Sequence, residues 1–252
     1  LQSEVDLLKK LKREYALRQI SPLKLYEPQP NQLKFHKSLA RERLLIGSNR
    51  GMKTTAAVME LAWAITGTHP HREYPKEAGV VWIVGKDGKH LADTIWGKLG
   101  KSNPTFRMIV DEETGMWRAY RPWTDKARKH LSKPMPRIIS PRLIKRIAWE
   151  DKARGIPNMV TLTNGWQILF LSSNASPPQG HPVDFCLFDE EVESEEWYRE
   201  ACARLLDKQG VFIWSATPQH ATQRLWELHE NAERQAGKPN PDIEEFEMLL
   251  RD

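Results

Sequence analysis

Short apolar segments alternate along this chain with segments of helical pattern, and this alternation limits the fold more than any other feature. Apolar runs without alternating polar residues are typical of strands that are buried on both faces. We expect such strands over residues 43–47, 80–84, 183–189 and 211–215, and helices over 53–66, 89–99, 194–207 and 222–235. Apolar and polar residues alternate on both sides of Asn164-Gly165, which predicts a β-hairpin over 159–172. Strands and helices in this order predict an α/β fold, in which helices flank a mostly parallel central sheet.

The two ends of the chain have patterns of their own. Apolar residues at three- to four-residue spacing predict a helix over residues 3–19, and the prolines that follow predict a linker. We therefore expect a helix and Pro-rich linker over 1–30, the main domain over 31–236, and a C-terminal linker over 237–252.

The middle of the chain, residues 101–157, is basic and interrupted by prolines. We expect it to be irregular, with one helix over 141–154. Trp117 and Trp123 lie among its arginines, and we expect both of them to pack in the core.

The composition excludes several classes of protein. Only two of the 252 residues are cysteines, which rules out a disulfide framework and a Cys-rich zinc site and favours a reducing compartment. No apolar run approaches the roughly 20 residues of a membrane helix, so a membrane-spanning protein is excluded. The eight histidines have no metal-ligand spacing.

The net charge of +5 is unevenly distributed, with +8 over residues 101–154 and −7 over residues 181–207, so the basic segment is where we expect an anionic partner.

A glycine-containing turn lies between the first expected strand and the first expected helix. Its residues, with the start of the helix, are Gly47, Ser48, Asn49, Arg50, Gly51, Met52, Lys53, Thr54 and Thr55. In a phosphate-binding loop of this spacing, backbone N–H groups surround the phosphates, Lys53 reaches them and the Thr54 hydroxyl holds Mg²⁺. Met52 stands where the pattern G-x-x-x-x-G-K-[ST] has its second glycine, and a side chain there can crowd the nucleotide. The alternative is an ordinary glycine turn before a helix.

Two carboxylates, Asp189 and Glu190, follow directly on an apolar strand. In phosphate-loop ATPases an aspartate at this point holds the magnesium ion, and a following glutamate can orient and deprotonate the attacking water. The alternative is a buried strand that ends in a solvated acidic loop, and the acidic residues from 191 to 196 fit the exposed start of a helix.

The next strand ends in small residues, Ser215, Ala216 and Thr217, before a proline. Hydroxyl groups here can sense the γ-phosphate and pass its loss to the rest of the domain, whereas the alternative is a Ser/Thr turn. The glycine-containing turn, the two carboxylates and these small residues each lie at the carboxyl end of an expected strand. Open α/β sheets bind ligands at the carboxyl ends of their strands. Together they favour an ATPase that uses ATP and Mg²⁺.

Two residues upstream of the first strand, Tyr26 and Gln32, offer an aromatic ring and an amide. They can stack on adenine and hydrogen-bond it. A plain linker is the alternative here, so Gln32 is a minor candidate for nucleotide binding.

The order of these motifs resembles the large subunit of tailed-phage terminases, the motors that pump DNA into capsids. The similar stretches are IGSNRGMKTTAAVMELAWAITGTHP, ETGMWRAYRPW, VDFCLFDEE and FIWSATPQ, within residues 22–235. The resemblance implies a RecA-like P-loop ATPase of the ASCE class, which couples ATP hydrolysis to the translocation of double-stranded DNA into a procapsid. It also makes residues 47–54 the Walker A loop, Asp189 the Walker B acid, Glu190 the catalytic carboxylate and residues 215–217 the coupling motif.

Arginines have two roles in this family. Arg50 lies in the loop, where many members have an arginine that stabilises transition-state charge, although other members have it one position earlier, at Asn49 in this chain. A ring of subunits can also use an arginine from a neighbouring subunit, and Arg137, Arg142 and Arg146 are the candidates, of which we choose Arg142. The alternative for each is a surface arginine or a contact to DNA phosphate.

The resemblance also implies partners. They are double-stranded DNA held through its phosphates without sequence readout, a portal protein, a small terminase subunit, and further copies of the chain in a ring on the procapsid in the host cytoplasm, with no membrane. Family members carry a metal nuclease domain as well, which we do not expect before Asp252, so we expect no DNA cutting. Two alternatives remain: a nucleotide- or DNA-binding module with weak or lost hydrolysis because of Met52, and a helicase-like ATPase.

Overall fold

Helices and strands alternate over most of the chain in the computed structural model of the protein, which describes residues 5, 7, 8, 21–48, 52–101, 103–190, 192–217 and 222–248. The helices are α1 (Pro22–Leu25), α2 (Pro30–Lys37), α3 (Lys53–Thr66), α4 (Gly88–Leu99), α5 (Glu195–Leu206) and α6 (Gln223–Gln235). The strands are β1 (Glu42–Ile46), β2 (Val80–Gly85), β3 (Asn103–Val110), β4 (Trp117–Ala119), β5 (Lys133–Met135), β6 (Ile144–Asp151), β7 (Ile156–Leu162), β8 (Gln167–Ser172), β9 (Phe185–Asp189), β10 (Val211–Ala216) and β11 (Ile243–Glu247). Lys126–Leu131 and Pro141–Leu143 are 3₁₀ helices.

One large sheet has the strand order β11-β1-β10-β9-β2-β8-β7-β6. The strands from β11 to β8 are parallel to one another, whereas β7 is antiparallel to both β8 and β6. The expected mostly parallel sheet is confirmed. Because β1, β10, β9 and β2 are neighbours, their carboxyl ends lie side by side at one edge of the sheet.

Both faces of this sheet are covered by helices. Leu45 of β1 and Ile213 of β10 belong to a core that includes α3 and α4, whereas Leu44 and Trp214, which point to the other face, belong to a second core with α5 and α6. Every residue of β9 and β10 is buried, which explains why these strands are continuous apolar runs in the sequence.

The hairpin expected around Asn164-Gly165 is confirmed, since β7 and β8 pair there and Gly165 has a φ of 87°. The helix expected over 141–154 is wrong. Residues 144–151 form β6, which pairs with β7 through a ladder with several register shifts. Long-range pairing with β7 therefore overrides the local helical pattern.

A second, three-stranded antiparallel sheet of order β4-β3-β5 occupies part of the segment that we expected to be irregular. Trp117 begins β4 and is partly buried. Trp123 is 70% exposed, so the core position expected for it is wrong.

The C-terminal end of the chain differs from the expectation, whereas the few described residues near the N-terminus agree with it. Within the C-terminal linker expected over 237–252, β11 pairs with β1 at the edge of the main sheet, so residues 243–247 belong to the folded domain. At the other end, residues 5, 7 and 8 are helical, and the rest of the helix expected over 3–19 lies outside the described residues. None of the described helices combines the length and the apolar character needed to cross a membrane.

Candidate active site

The three sequence motifs meet at the carboxyl edge of the main sheet. β1 leads into the loop before α3, β9 ends at Asp189, and β10 ends next to Thr217. Since β10 lies between β1 and β9, the coupling motif stands between the loop and the two carboxylates.

Lys53 connects two of these motifs. It is the first residue of α3, only 5% of its surface is exposed, and its ammonium donates three hydrogen bonds of 2.9 Å. The acceptors are the carbonyl oxygens of Gly47 and Ser48 and the Thr217 hydroxyl. Burial lowers the pKa of Lys53, against the raising influence of Glu190 and Asp189.

Asp189 is buried, and each of its carboxylate oxygens has a hydrogen-bond partner. Thr54 Oγ1 donates to Oδ1 at 3.1 Å, and His90 Nε2 lies 3.1 Å from Oδ2. Because an ionised carboxylate only accepts, His90 is the donor. This hydrogen bond to Asp189 raises the pKa of His90, although burial of the ring acts in the opposite direction.

The Thr54 hydroxyl and the Asp189 carboxylate are oxygen donors of the kind that Mg²⁺ prefers. They are already in contact, at the start of the helix whose N-terminus the phosphates are expected to approach. The donor set and its position therefore fit a Mg²⁺ ion that is shared with nucleotide phosphates.

Glu190 is held by its own backbone in a left-handed conformation, with a φ of 63°. Its N–H donates to the Ser215 carbonyl at 2.7 Å and its carbonyl accepts from Trp214 Nε1 at 2.8 Å. In an extended strand, successive side chains point to opposite faces. The turn at Glu190 lets two successive carboxylates serve one site, and Glu190 Oε2 accepts the Thr217 N–H at 3.2 Å.

The coupling motif contacts the site through Thr217 and through backbone groups. Thr217 contacts both Lys53 and Glu190, as described above. Ser215 and Ala216 are fully buried, and the Ser215 hydroxyl has no hydrogen-bond partner among the described residues.

Met52 has φ 59° and ψ 21°, which is the left-handed region that glycine enters readily. Met52 therefore has a backbone conformation that suits the glycine of the usual pattern. Gln32 is buried and holds this residue, since its amide donates to the Met52 carbonyl at 3.4 Å and accepts the Gln29 N–H at 2.8 Å. An adenine contact by Gln32 stays a prediction. The ring of Tyr26 packs instead against His36 and Trp63.

No protein-family model and no curated protein matches the chain. Solved structures do match it. The ATPase domain of the large terminase of Thermus phage P74-26 matches with a TM-score of 0.52 and 15% sequence identity, over 90% of this chain and 82% of that one. A point mutant of the same domain, with an arginine replaced by alanine, gives a TM-score of 0.53 and 15% identity, over 90% and 83%. The large terminase of the thermophilic bacteriophage D6E in complex with ADP gives a TM-score of 0.50 and 15% identity, over 88% of this chain and 46% of that one.

The chain has the fold of a phage large-terminase ATPase domain. The expected RecA-like α/β class is thereby confirmed.

Some of the expected site residues lie away from this edge of the terminase fold or outside what is described. Asn49, Arg50 and Gly51 lie outside the described residues. Arg142 is exposed and precedes β6, which is six strands from β1 in the sheet order, or about 29 Å at about 4.8 Å per strand. Arg142 is therefore remote from the loop that follows β1 in the same chain, and its role in a neighbouring subunit stays a prediction.

One buried cluster among the described residues, His36, Glu60 and His69, has the composition of a metal site. His69 Nδ1 accepts two backbone N–H groups of the following turn, so Nε2 carries the proton and donates it to Glu60 Oε2 at 2.9 Å. A protonated nitrogen cannot ligate a metal. In addition, Arg43 Nη1 lies 2.6 Å from Glu60 Oε1, so the cluster is a buried ion-pair network.

Proposed function

We propose that this chain is the ATPase motor domain of a viral terminase large subunit, which hydrolyses MgATP to translocate double-stranded DNA into a procapsid. The observation that carries the proposal is the meeting of Lys53, Thr54, Asp189 and Glu190 at the carboxyl ends of neighbouring strands. The fold shared with phage terminase ATPase domains supports it.

In the proposed reaction the loop residues 47–55 bind the phosphates. Lys53 exchanges the two carbonyl oxygens that it now contacts for phosphate oxygens, because an ammonium group binds an anionic oxygen more strongly than a neutral one. Bound Mg²⁺, held by Thr54 and Asp189, supplies positive charge that offsets the charge of the phosphates. Arg50 is a candidate for further stabilisation of the transition state.

Glu190 acts as the general base in this proposal. Its carboxylate orients the attacking water and accepts a proton from it. Thr217 contacts both Lys53 and Glu190, so loss of the γ-phosphate would change both contacts of the coupling motif. That is a route by which residues 215–217 transmit hydrolysis to the rest of the domain.

The remaining partners follow from the motor role. The duplex is bound through its phosphates, for which residues 101–154 supply the excess of positive charge. Copies of the chain form a ring with the portal protein and the small terminase subunit, on a procapsid in the host cytoplasm. Arg142 reaches the nucleotide of a neighbouring subunit.

Phosphate release from MgATP, measured with and without linear duplex DNA, tests the proposal. We expect turnover by the wild type that duplex DNA increases, and a loss of at least about a hundredfold in Lys53→Ala and in Glu190→Gln. The matched controls are Lys208→Ala and Glu193→Gln, which change exposed residues of the same types. Turnover at the wild-type rate in both site variants would refute the catalytic roles.

A nucleotide- or DNA-binding module with little hydrolysis is the second candidate, and the Met52 side chain in the phosphate-binding loop favours it. Calorimetric titration with a non-hydrolysable ATP analogue measures nucleotide binding, and the phosphate-release assay above measures turnover. Together they separate the two candidate functions. Binding of the analogue together with DNA-stimulated turnover of MgATP supports the motor, and binding without turnover supports a nucleotide-binding module. Absence of binding contradicts the motor and leaves a DNA-binding module.

A further inference from the structure

Asp189 presents two oxygens, and the proposed magnesium site requires one of them to stay next to Thr54. Oδ1 already accepts the Thr54 hydroxyl, and Oδ2 accepts from His90 Nε2. His90 belongs to none of the motifs of the sequence and lies on a different element, the first turn of α4.

The position of His90 is fixed by the way in which α4 begins. Asp87 caps the helix, and its carboxylate accepts the His90 N–H at 2.7 Å. At Gly88 an added Cβ would lie 2.5 Å from Glu150 Oε2, so the start of the helix is packed closely against its neighbours. The strand before it, β2, pairs directly with β9, which ends at Asp189.

The His90 ring is also held from the side. An added Cβ at Gly85 would lie 3.4 Å from His90 Cδ2, which places the ring against the last residue of β2. The His90 side chain is 27% exposed and that of Asp189 is 1% exposed, so the ring lies between the buried carboxylate and the outside. The donor therefore reaches the carboxylate from a helix start that is packed against its neighbours.

We propose that His90 is a positioning residue for the metal-binding carboxylate: it holds Asp189 Oδ2, and thereby keeps Oδ1 turned toward Thr54 and the magnesium ion. The inference rests on the proposed function. A carboxylate with one oxygen held by a ring donor must break that hydrogen bond before it can rotate and exchange its oxygens. Partners that orient metal ligands in this way change metal affinity by about ten- to a hundredfold when they are removed.

The test is the gain in nucleotide affinity that magnesium provides. A fluorescent, non-hydrolysable ATP analogue is titrated into each protein in excess MgCl₂ and, separately, in EDTA, and the ratio of the two Kd values is compared. His90→Ala and His90→Phe remove the donor, and His90→Phe keeps a ring against Gly85. His90→Gln keeps an N–H donor, and His181→Ala changes an exposed histidine elsewhere as the control.

We expect the gain from magnesium to fall about tenfold in His90→Ala and His90→Phe, with binding in EDTA unchanged. His90→Gln and His181→Ala should keep most of the wild-type gain. The inference is overturned if both donor-free variants keep the full gain, or if they lose equal affinity in magnesium and in EDTA. If His90→Ala does not fold, as judged by thermal unfolding, the comparison of His90→Phe with His90→Gln decides.

Failure of the proposed function gives a different result. If the wild type does not bind the analogue in either condition, the ATPase proposal fails and the inference falls with it. If the wild type binds with a magnesium-dependent gain that is insensitive to His90, the inference alone fails.

Discussion

Met52 has the backbone conformation of a glycine but carries a long side chain. A residue other than glycine in the left-handed region is strained by contact of its Cβ with the following carbonyl oxygen, at about 1–2 kcal/mol. The strain persists here because the Met52 carbonyl is held from both sides, by the Gln32 amide and by the Ala56 N–H at 3.0 Å.

Replacing Met52 by glycine is therefore expected to raise the free energy of unfolding by about 1 kcal/mol. Met52→Ala is the matched control, because alanine shortens the side chain and keeps the Cβ that causes the strain. Urea denaturation of the three proteins without nucleotide measures the effect. Equal stability of the glycine and alanine variants would show that the left-handed backbone is not strained in solution.

At the scale of single residues, the sequence singles out the groups that belong to local patterns and misses the others. Lys53 and Asp189 belong to local patterns, a glycine turn before a helix and an apolar run before an acid. His90 has no such pattern, since its partner Asp189 is 99 residues away in the chain. Only the pairing of β2 with β9 brings the two together, and no single sequence shows that pairing.

Among the elements, β11 packs against the start of the loop that precedes α3. Met248, just after this strand, donates its N–H to the Ile46 carbonyl at 2.7 Å. Its carbonyl oxygen then lies 2.2 Å from the place that a Cβ on Gly47 would occupy. Gly47, with a φ of 154°, is thus required for the close approach of β11 to the start of the loop.

Gly47→Ala is expected to destabilise the protein by about 2 kcal/mol or more, because backbone must move to admit the methyl group. The control is Gly67→Ala, at a glycine with a φ of 63° and nothing within 4 Å of an added Cβ, where backbone strain alone costs about 1 kcal/mol. Urea denaturation gives both values, and limited proteolysis shows whether β11 is released. A loss no greater than that of Gly67→Ala would contradict the steric role of Gly47.

The wrong expectations for β6 and β11 have one physical origin. Strands whose two faces are both buried, such as β9 and β10, have a continuous apolar pattern and are predictable. β6 and β11 lie at the edges of the sheet and are only partly buried, so they lack that pattern. Pairing with β7 and β1 stabilises them, and such long-range partners are not visible in a local window.

On the scale of the whole molecule, the buried network around Glu60 connects elements that are distant in the sequence. Glu60 of α3 accepts from His36 of α2, from Arg43 of β1, and from His69 and Tyr74 after α3. Burial alone would raise the pKa of Glu60, but Arg43 and the two histidines hold it well below its usual range. The network thus joins α2, which contacts Met52 through Gln32, to β1 before the loop and to α3 after it.

This network should make the stability of the fold sensitive to acid. Burial lowers the pKa of His36 below its ordinary value of 6.5, although Glu60 acts in the opposite direction. Around and below pH 6.5 the unfolded chain therefore binds more protons at this histidine than the folded chain does, and the free energy of unfolding falls as the pH is lowered. The loss from this group reaches at most about 1.4 kcal/mol at one pH unit below the ordinary value.

His36→Gln removes this contribution, so the variant should lose less free energy of unfolding than the wild type between about pH 7.5 and about pH 5.5. Hydrogen bonds to Glu245 and Asp189 raise the pKa values of His229 and His90, which adds stability in acid, but both groups are common to the two proteins and cancel in the comparison. Urea denaturation at the two pH values measures the difference, with the exposed His130→Gln as the control. The protonation of His36 is not coupled to folding if His36→Gln and the wild type lose the same amount. A smaller loss in His36→Gln alone means that the buried network, through its histidine, contributes to the acid sensitivity of the fold.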